Sequence, residues 1–132
     1  MMRHAKTVAE IYAAFRRGDI AGIPGALRED VEWEHDAVDH GIPWLTPRQG
    51  RAQVAAFFEA LRALDFRRFE PKRILADDTM AAAIIHVELA VRATGRVISD
   101  VELHLWTFDA QGKVARFRHV ADTHQHWLAL RG

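Results

Sequence analysis

Cysteine is absent from the 132 residues, so disulfides and thiolate metal sites are excluded. Charge of one sign is lacking too: 18 Lys and Arg balance 18 Asp and Glu. Nothing draws such a chain to a phosphate backbone, and nucleic acid is not an expected partner. No apolar run approaches the ~18 residues of a membrane span, and Met1 to Lys6 lead into no apolar signal core. A soluble, cytoplasmic protein with no membrane partner is the expectation. Repeats, low-complexity runs and linkers are missing as well, so residues 1–132 read as a single domain. The chain does hold eight histidines, the side chain that titrates near neutral pH, and it is 49% hydrophobic, enough for one core.

The hydrophobic pattern predicts an α+β layout. Val8, Ile11, Tyr12 and Phe15 recur at helical spacing, and Gly18 supplies a left-handed stop. Asp19 reads as the N-cap of a short second helix limited by Pro24-Gly25. Val31 to His35 alternates as a short strand, and Asp36 to Gly50, with Pro43 and Pro47, reads as a loop. A third helix carries Val54, Phe57, Phe58 and Leu61 on one stripe. The rest is β: Phe66 to Leu75, Met80 to Arg92, Val97 to Phe108 and Lys113 to Ala121, divided by turns at Asp77-Asp78, Thr94-Gly95 and Gln111-Gly112. Asp122 is placed to cap a terminal helix.

The last hairpin carries the chemistry. With a period of two, Glu102, His104, Trp106 and Phe108 share one side of the first strand. Phe117 and His119 share one side of the second, and the turn places His104 and His119 on the same face. Two imidazoles beside Trp106 and Phe117 suggest a lined pocket rather than plain core. His86 and Glu88 are a further candidate pair. A two-residue Thr-Gly turn before the next strand turns Ile85 and Val87 to the His104 side, whereas a three-residue loop turns His86 and Glu88 there. The first is preferred because it makes that inner face apolar throughout. It leaves Val101, Leu103 and Leu105 on the opposite face, where they need cover, and predicts a homodimer formed sheet to sheet.

Several segments carry a family resemblance: Phe15-Arg16-Arg17-Gly18-Asp19, Asp30 to His35, Gly41-Ile42-Pro43-Trp44 with Arg48 to Arg51 and Phe57-Phe58, and Phe108 to Val114 with Arg116-Phe117-Arg118 and Asp122. Together they resemble the nuclear-transport-factor-two-like superfamily, which includes SnoaL-like polyketide cyclases, ketosteroid isomerase, scytalone dehydratase and limonene epoxide hydrolase. The resemblance spans nearly the whole chain. It implies a cone-shaped, curved mixed or antiparallel sheet wrapped around N-terminal helices, with a pocket between them.

By the same resemblance His35 lies where the isomerases place their carboxylate base. His104 lies where they place the protonated acid of the oxyanion hole, and His119 where limonene epoxide hydrolase places an aspartate. The isomerase tyrosine falls at Ile11, with Tyr12 one residue off and expected to point elsewhere. None of those carboxylates is retained, so a steroid isomerase or a carboxylate-driven epoxide hydrolase is not encoded. His35, His104 and His119 are therefore the catalytic candidates. Trp33, Trp44, Phe57, Trp106 and Phe117 are the candidates for binding a hydrophobic or planar small molecule, and His86, Glu88, Tyr12 and Glu102 are further candidates. His-based acid–base chemistry next to a carbonyl, of isomerase, dehydratase or cyclase type and without a cofactor, is one expectation. A non-catalytic binding protein is another, and a dimeric module with a self-filled pocket a third. His124-Gln125-His126 lacks the ligand spacing of a metal site, so no metal is expected.

Overall fold

The computed structural model describes residues 2–132. Helix α1 (Met2–Arg16) ends at Gly18, whose φ of 76° is the left-handed stop the sequence offers. Asp19 then caps a single 3-10 turn, Ile20–Gly22, by accepting from the Gly22 amide. Pro24 starts a second 3-10 turn, Pro24–Ala26, rather than merely ending the first. Strand β1 (Leu27–Trp33) begins four residues earlier than the alternation suggests and stops before Glu34. The loop after it contains a 3-10 turn at Pro43–Leu45 and the two-residue strand β2 (Arg48–Gln49), and leads into α2 (Gly50–Ala60). Four long strands follow: β3 (Leu64–Ala76), β4 (Met80–Val91), β5 (Val97–Phe108) and β6 (Val114–Val120). Helix α3 (Thr123–Arg131) closes the chain under an Asp122 cap.

The strands form one mixed sheet in the order β2-β1-β6-β5-β4-β3, parallel only between β1 and β6. It is not closed into a barrel, and its breaks in register lie between Leu27 and Glu32, between Phe66 and Arg68, between Pro71 and Arg73, and between Thr107 and Phe108. Such bulges bend a sheet. The concave face meets α1 and α2, and there the core gathers: Val8, Val31, Val54, Ile85, Ile98 and Phe117 are buried. This is the α+β cone that the resemblance implies.

The β4–β5 connection fixes which residues face inward. Val91 pairs with Arg96 around a four-residue loop, neither of the two lengths considered from the sequence. Its even length has the same parity as a two-residue turn, so Ala83, Ile85 and Val87 stand across from His104, Glu102 and Asp100. His86 and Glu88 pair with Val101 and Ser99 on the outer face, and neither reaches the interior. At the β6 end, the bulge buries Val114 in place of Ala115.

Candidate functional site

The two histidines of the hairpin are direct cross-strand partners. Their rings stand 4.6 Å apart, nearly perpendicular, over the flank of Phe117. Between the concave sheet and the helices lies a narrow cavity of about 60 Å³. Trp33, Trp44, Phe57, Trp106 and Phe117 all line it, and so does Tyr12. The walls are otherwise aliphatic and phenyl side chains from α1, α2, β3 and β4. Polar groups gather at one place, where Glu102, His104, His119 and His126 meet.

Hydrogen bonds fix the state of these groups. An indole N–H can only donate. Trp106 Nε1 donates to the Tyr12 hydroxyl oxygen at 3.1 Å, leaving the phenol proton for His104 Nδ1 at 2.8 Å. His104 then carries its own proton on Nε2, facing Glu102 Oε1 at 3.4 Å. On the other side Trp44 Nε1 donates to His126 Nδ1 at 2.9 Å, so His126 also turns a protonated Nε2 to Glu102, 3.4 Å from Oε2. Burial works against the Glu102 charge, but the contacts from His104 and His126 outweigh it and hold its carboxyl well below the usual range. Burial lowers His104, with Glu102 opposing only in part. Burial raises the Tyr12 hydroxyl strongly, opposed by the hydrogen bond its oxygen accepts from Trp106 and aided by the nearby Glu102 charge.

His119 is held differently. Its backbone amide donates to Glu34 Oε1 at 2.8 Å, and its Nδ1 bonds Glu34 Oε2. Burial alone would lower its pKa, yet the Glu34 carboxylate reverses the effect and raises it. Two imidazoles in contact are therefore pushed in opposite directions, one toward the neutral form and one toward the charged form.

Glu34 was not among the sequence candidates. Strict alternation places it outward with Glu32, because Trp33 faces in. Its φ of 57° breaks that rule and buries the carboxylate beside Trp33. A positive φ at a glutamate leaves no mark in composition or pattern. The same kink displaces His35. Its ring leaves the interior for Glu32, 2.8 Å away, and Asp36, 3.1 Å away, and it is not among the lining residues. The expected inward position of His35 is thus corrected: Glu34 occupies it. His86 and Glu88 lie on the outer face, where the preferred parity puts them, and take no part in the site. Tyr12, expected to point elsewhere, reaches the cavity from α1. His126 was also passed over, though its spacing with Ala129 and Leu130 is that of an inward helical stripe.

A metal would have to use Glu102, His104 and His119, whose ligand atoms lie within 4.8 Å of one another. The fit is poor in this hydrogen-bonded state. His104 turns an N–H to the cluster rather than a lone pair, and reversing it would strip the buried Tyr12 proton of its acceptor. One further donor is open: the buried Trp33 indole N–H, at the cavity wall, has no protein partner.

A family profile described as a SnoaL-like domain matches residues 8–117. No curated protein sequence matches significantly. Among solved structures, a nuclear-transport-factor-two-like protein of unknown function from Burkholderia pseudomallei superposes with a TM-score of 0.86 at 23% identity, covering 100% of both chains. TerC, co-crystallised with polyporic acid, gives 0.81 at 22% identity over 98% of this chain and 99% of its own. A candidate polyketide cyclase from Xanthomonas campestris pv. campestris gives 0.75 at 20% identity over 98% and 97%. At such identities the likeness establishes the fold alone.

Proposed function

The chain belongs to the SnoaL-like domain family, and on that premise we propose that it is a small-molecule enzyme using histidine-based acid–base chemistry in its aromatic-lined cavity. The observation that carries this reading is His119, which lines the polar end of that cavity with the buried Glu34 carboxylate bonded behind it. A carboxylate on Nδ1 orients the ring and leaves Nε2 for the ligand. Raising the pKa of a histidine strengthens it as a base, and such groups contribute about 10²–10⁴-fold in rate. His119 removes a proton next to a carbonyl and returns it to another atom of the same substrate. The developing enolate oxygen draws on the unpartnered Trp33 N–H. Isomerisation, dehydration and aldol-type cyclisation all share this first step. The flat walls at Trp33, Trp106 and Phe117 suit a planar or hydrophobic body.

The exposed apolar strip at Val101, Leu103 and Val120 supports a homodimer through the sheet. No described helix is long and apolar enough to cross a membrane, which accords with the cytoplasmic setting we assign.

The test is hydrogen–deuterium exchange at the activated carbon of a flat cyclic ketone such as 2-tetralone, followed by NMR. The protein is expected to accelerate exchange over buffer, and His119→Gln to lose about 10²-fold or more while keeping its circular dichroism. Binding of the ketone without acceleration would favour the non-catalytic binding protein instead. Failure of any ketone or alcohol to bind would leave the pocket self-filled.

A further inference from the structure

Glu102 lines the polar end of the cavity, a second buried carboxylate, Glu34, stands behind His119, and at most one cation answers the two. Both Glu34 oxygens are engaged by His119, and both Glu102 oxygens face the N–H groups of His104 and His126. The indoles of Trp106 and Trp44 keep those last two rings neutral, as derived above. With His119 charged, the cluster holds one negative charge in excess; with His119 neutral, it holds two. No Lys or Arg lies among the described lining residues.

Glu102 is also loosely held. Its two contacts are each 3.4 Å, against the ~2.7–2.9 Å of a charge-assisted N–H···O bond. At 4% exposure, water does little to replace what those bonds lack. The His104 and His126 contacts keep this carboxylate ionised but bring no positive charge of their own, so a cation entering the cavity finds an unneutralised partner. The surrounding walls favour the same visitor. Tyr12, Phe69, Trp106 and Phe117 lie around His104, and aromatic faces attract cations through their quadrupole.

We propose that the cavity selects an organic cation: a small apolar or flat molecule bearing a protonated amine or quaternary ammonium group, seated at Glu102 against the aromatic faces, with carboxylates rejected. This rests on the small-molecule pocket proposed above, but not on its reaction.

Three near-isosteric probes test it: benzylamine, benzyl alcohol and benzoate, measured on the intact protein by calorimetry and thermal shift. Benzylamine is expected to bind at least about tenfold tighter than benzyl alcohol, the scale of a desolvated cation–π and ion-pair contact, and benzoate weakest of all. Glu102→Gln is expected to remove the preference, weakening benzylamine while leaving benzyl alcohol within about threefold. Equal binding of the three by the unaltered protein would overturn charge selection while sparing the pocket, and that ranking needs no variant to fold. Binding of none would end the pocket reading and this inference together. Zinc chloride alone serves as a fourth probe. If it stabilises the protein and benzylamine does not, the missing positive charge belongs to a metal, and the inference is overturned.

Discussion

The two faces of β5 invert the usual distribution of residues. Inward stand Glu102, His104 and Trp106, all buried; outward stand Val101 and Leu103, 53% and 37% exposed. Charge inside and aliphatic surface outside is costly for a single folded chain. The proposed ligand would answer the inner face, and the proposed sheet-to-sheet dimer the outer one. The inner face tolerates its charges because most of its polar groups have a close partner; the Trp33 N–H and His126 Nε2 make no hydrogen bond, and Glu102 is loosely held. Those partners come from α1, α3, β6 and the loop between β1 and β2, so the site is a convergence of elements remote in sequence.

Removing a partner from the inner face should therefore give the largest effect. Glu34→Ala strips the His119 amide and Nδ1 of their acceptor and releases the positive φ at residue 34. Breaking a buried pair by deleting one member costs about 3 kcal/mol or more, to be read from urea unfolding. The same variant should drop the His119 pKa, visible by NMR titration. A loss under ~0.5 kcal/mol would mean the carboxylate is solvated and the inner face is ordinary surface.

Tyr12→Phe should rank next, at about 2 kcal/mol, because it leaves the Trp106 N–H without an acceptor and His104 Nδ1 without a donor. Nitrogen-15 shifts of His104 should show the tautomer freed from Nε2–H. An unchanged tautomer would break the relay from Trp106 to Glu102 on which the neutral state of His104 depends.

The fold was largely legible because its signals are local. Helical spacing from Val8 to Phe15, the Asp122 cap and the alternation of β4, β5 and β6 each resolve within a dozen residues. Half of the site was legible for the same reason, since His104 and His119 are set by a single hairpin. Glu34 and His35 were not, because one left-handed residue reverses their sides without any glycine to announce it. His126 depends on how α3 docks, a tertiary fact that its own sequence only hints at.

Smaller still, and opposite in sign, are the pH effects of the paired imidazoles. His119 has its folded pKa raised, so its contribution to stability is full below the unfolded value near 6.5 and is lost as pH rises through the folded pKa. His104 has its folded pKa lowered, so its contribution is present above about 6.5 and is lost as pH falls toward the folded pKa. Unfolding free energies measured from pH 5 to 8 should separate them. His119→Gln should flatten the fall on the alkaline side, and His104→Gln the fall on the acid side. The same sign for both variants would show that the rings titrate as one unit.

The outer face should yield the smallest change in the fold and the clearest change in assembly. Val101 and Leu103 are exposed on the outer face, so Val101→Lys with Leu103→Lys should alter the intrinsic stability of a monomer by only about 0.5 kcal/mol per site. In a sheet-to-sheet dimer the same lysines meet their symmetry mates across an apolar seam, where unpaired buried charge is strongly unfavourable. Sedimentation should then show the unaltered protein as a dimer and the double variant as a monomer. Its melting temperature should lose its dependence on concentration, because the mass-action term of assembly has gone. A monomeric unaltered protein would break the symmetry of the comparison: the inner face would still await its ligand, and the outer would be surface that nothing needs to cover.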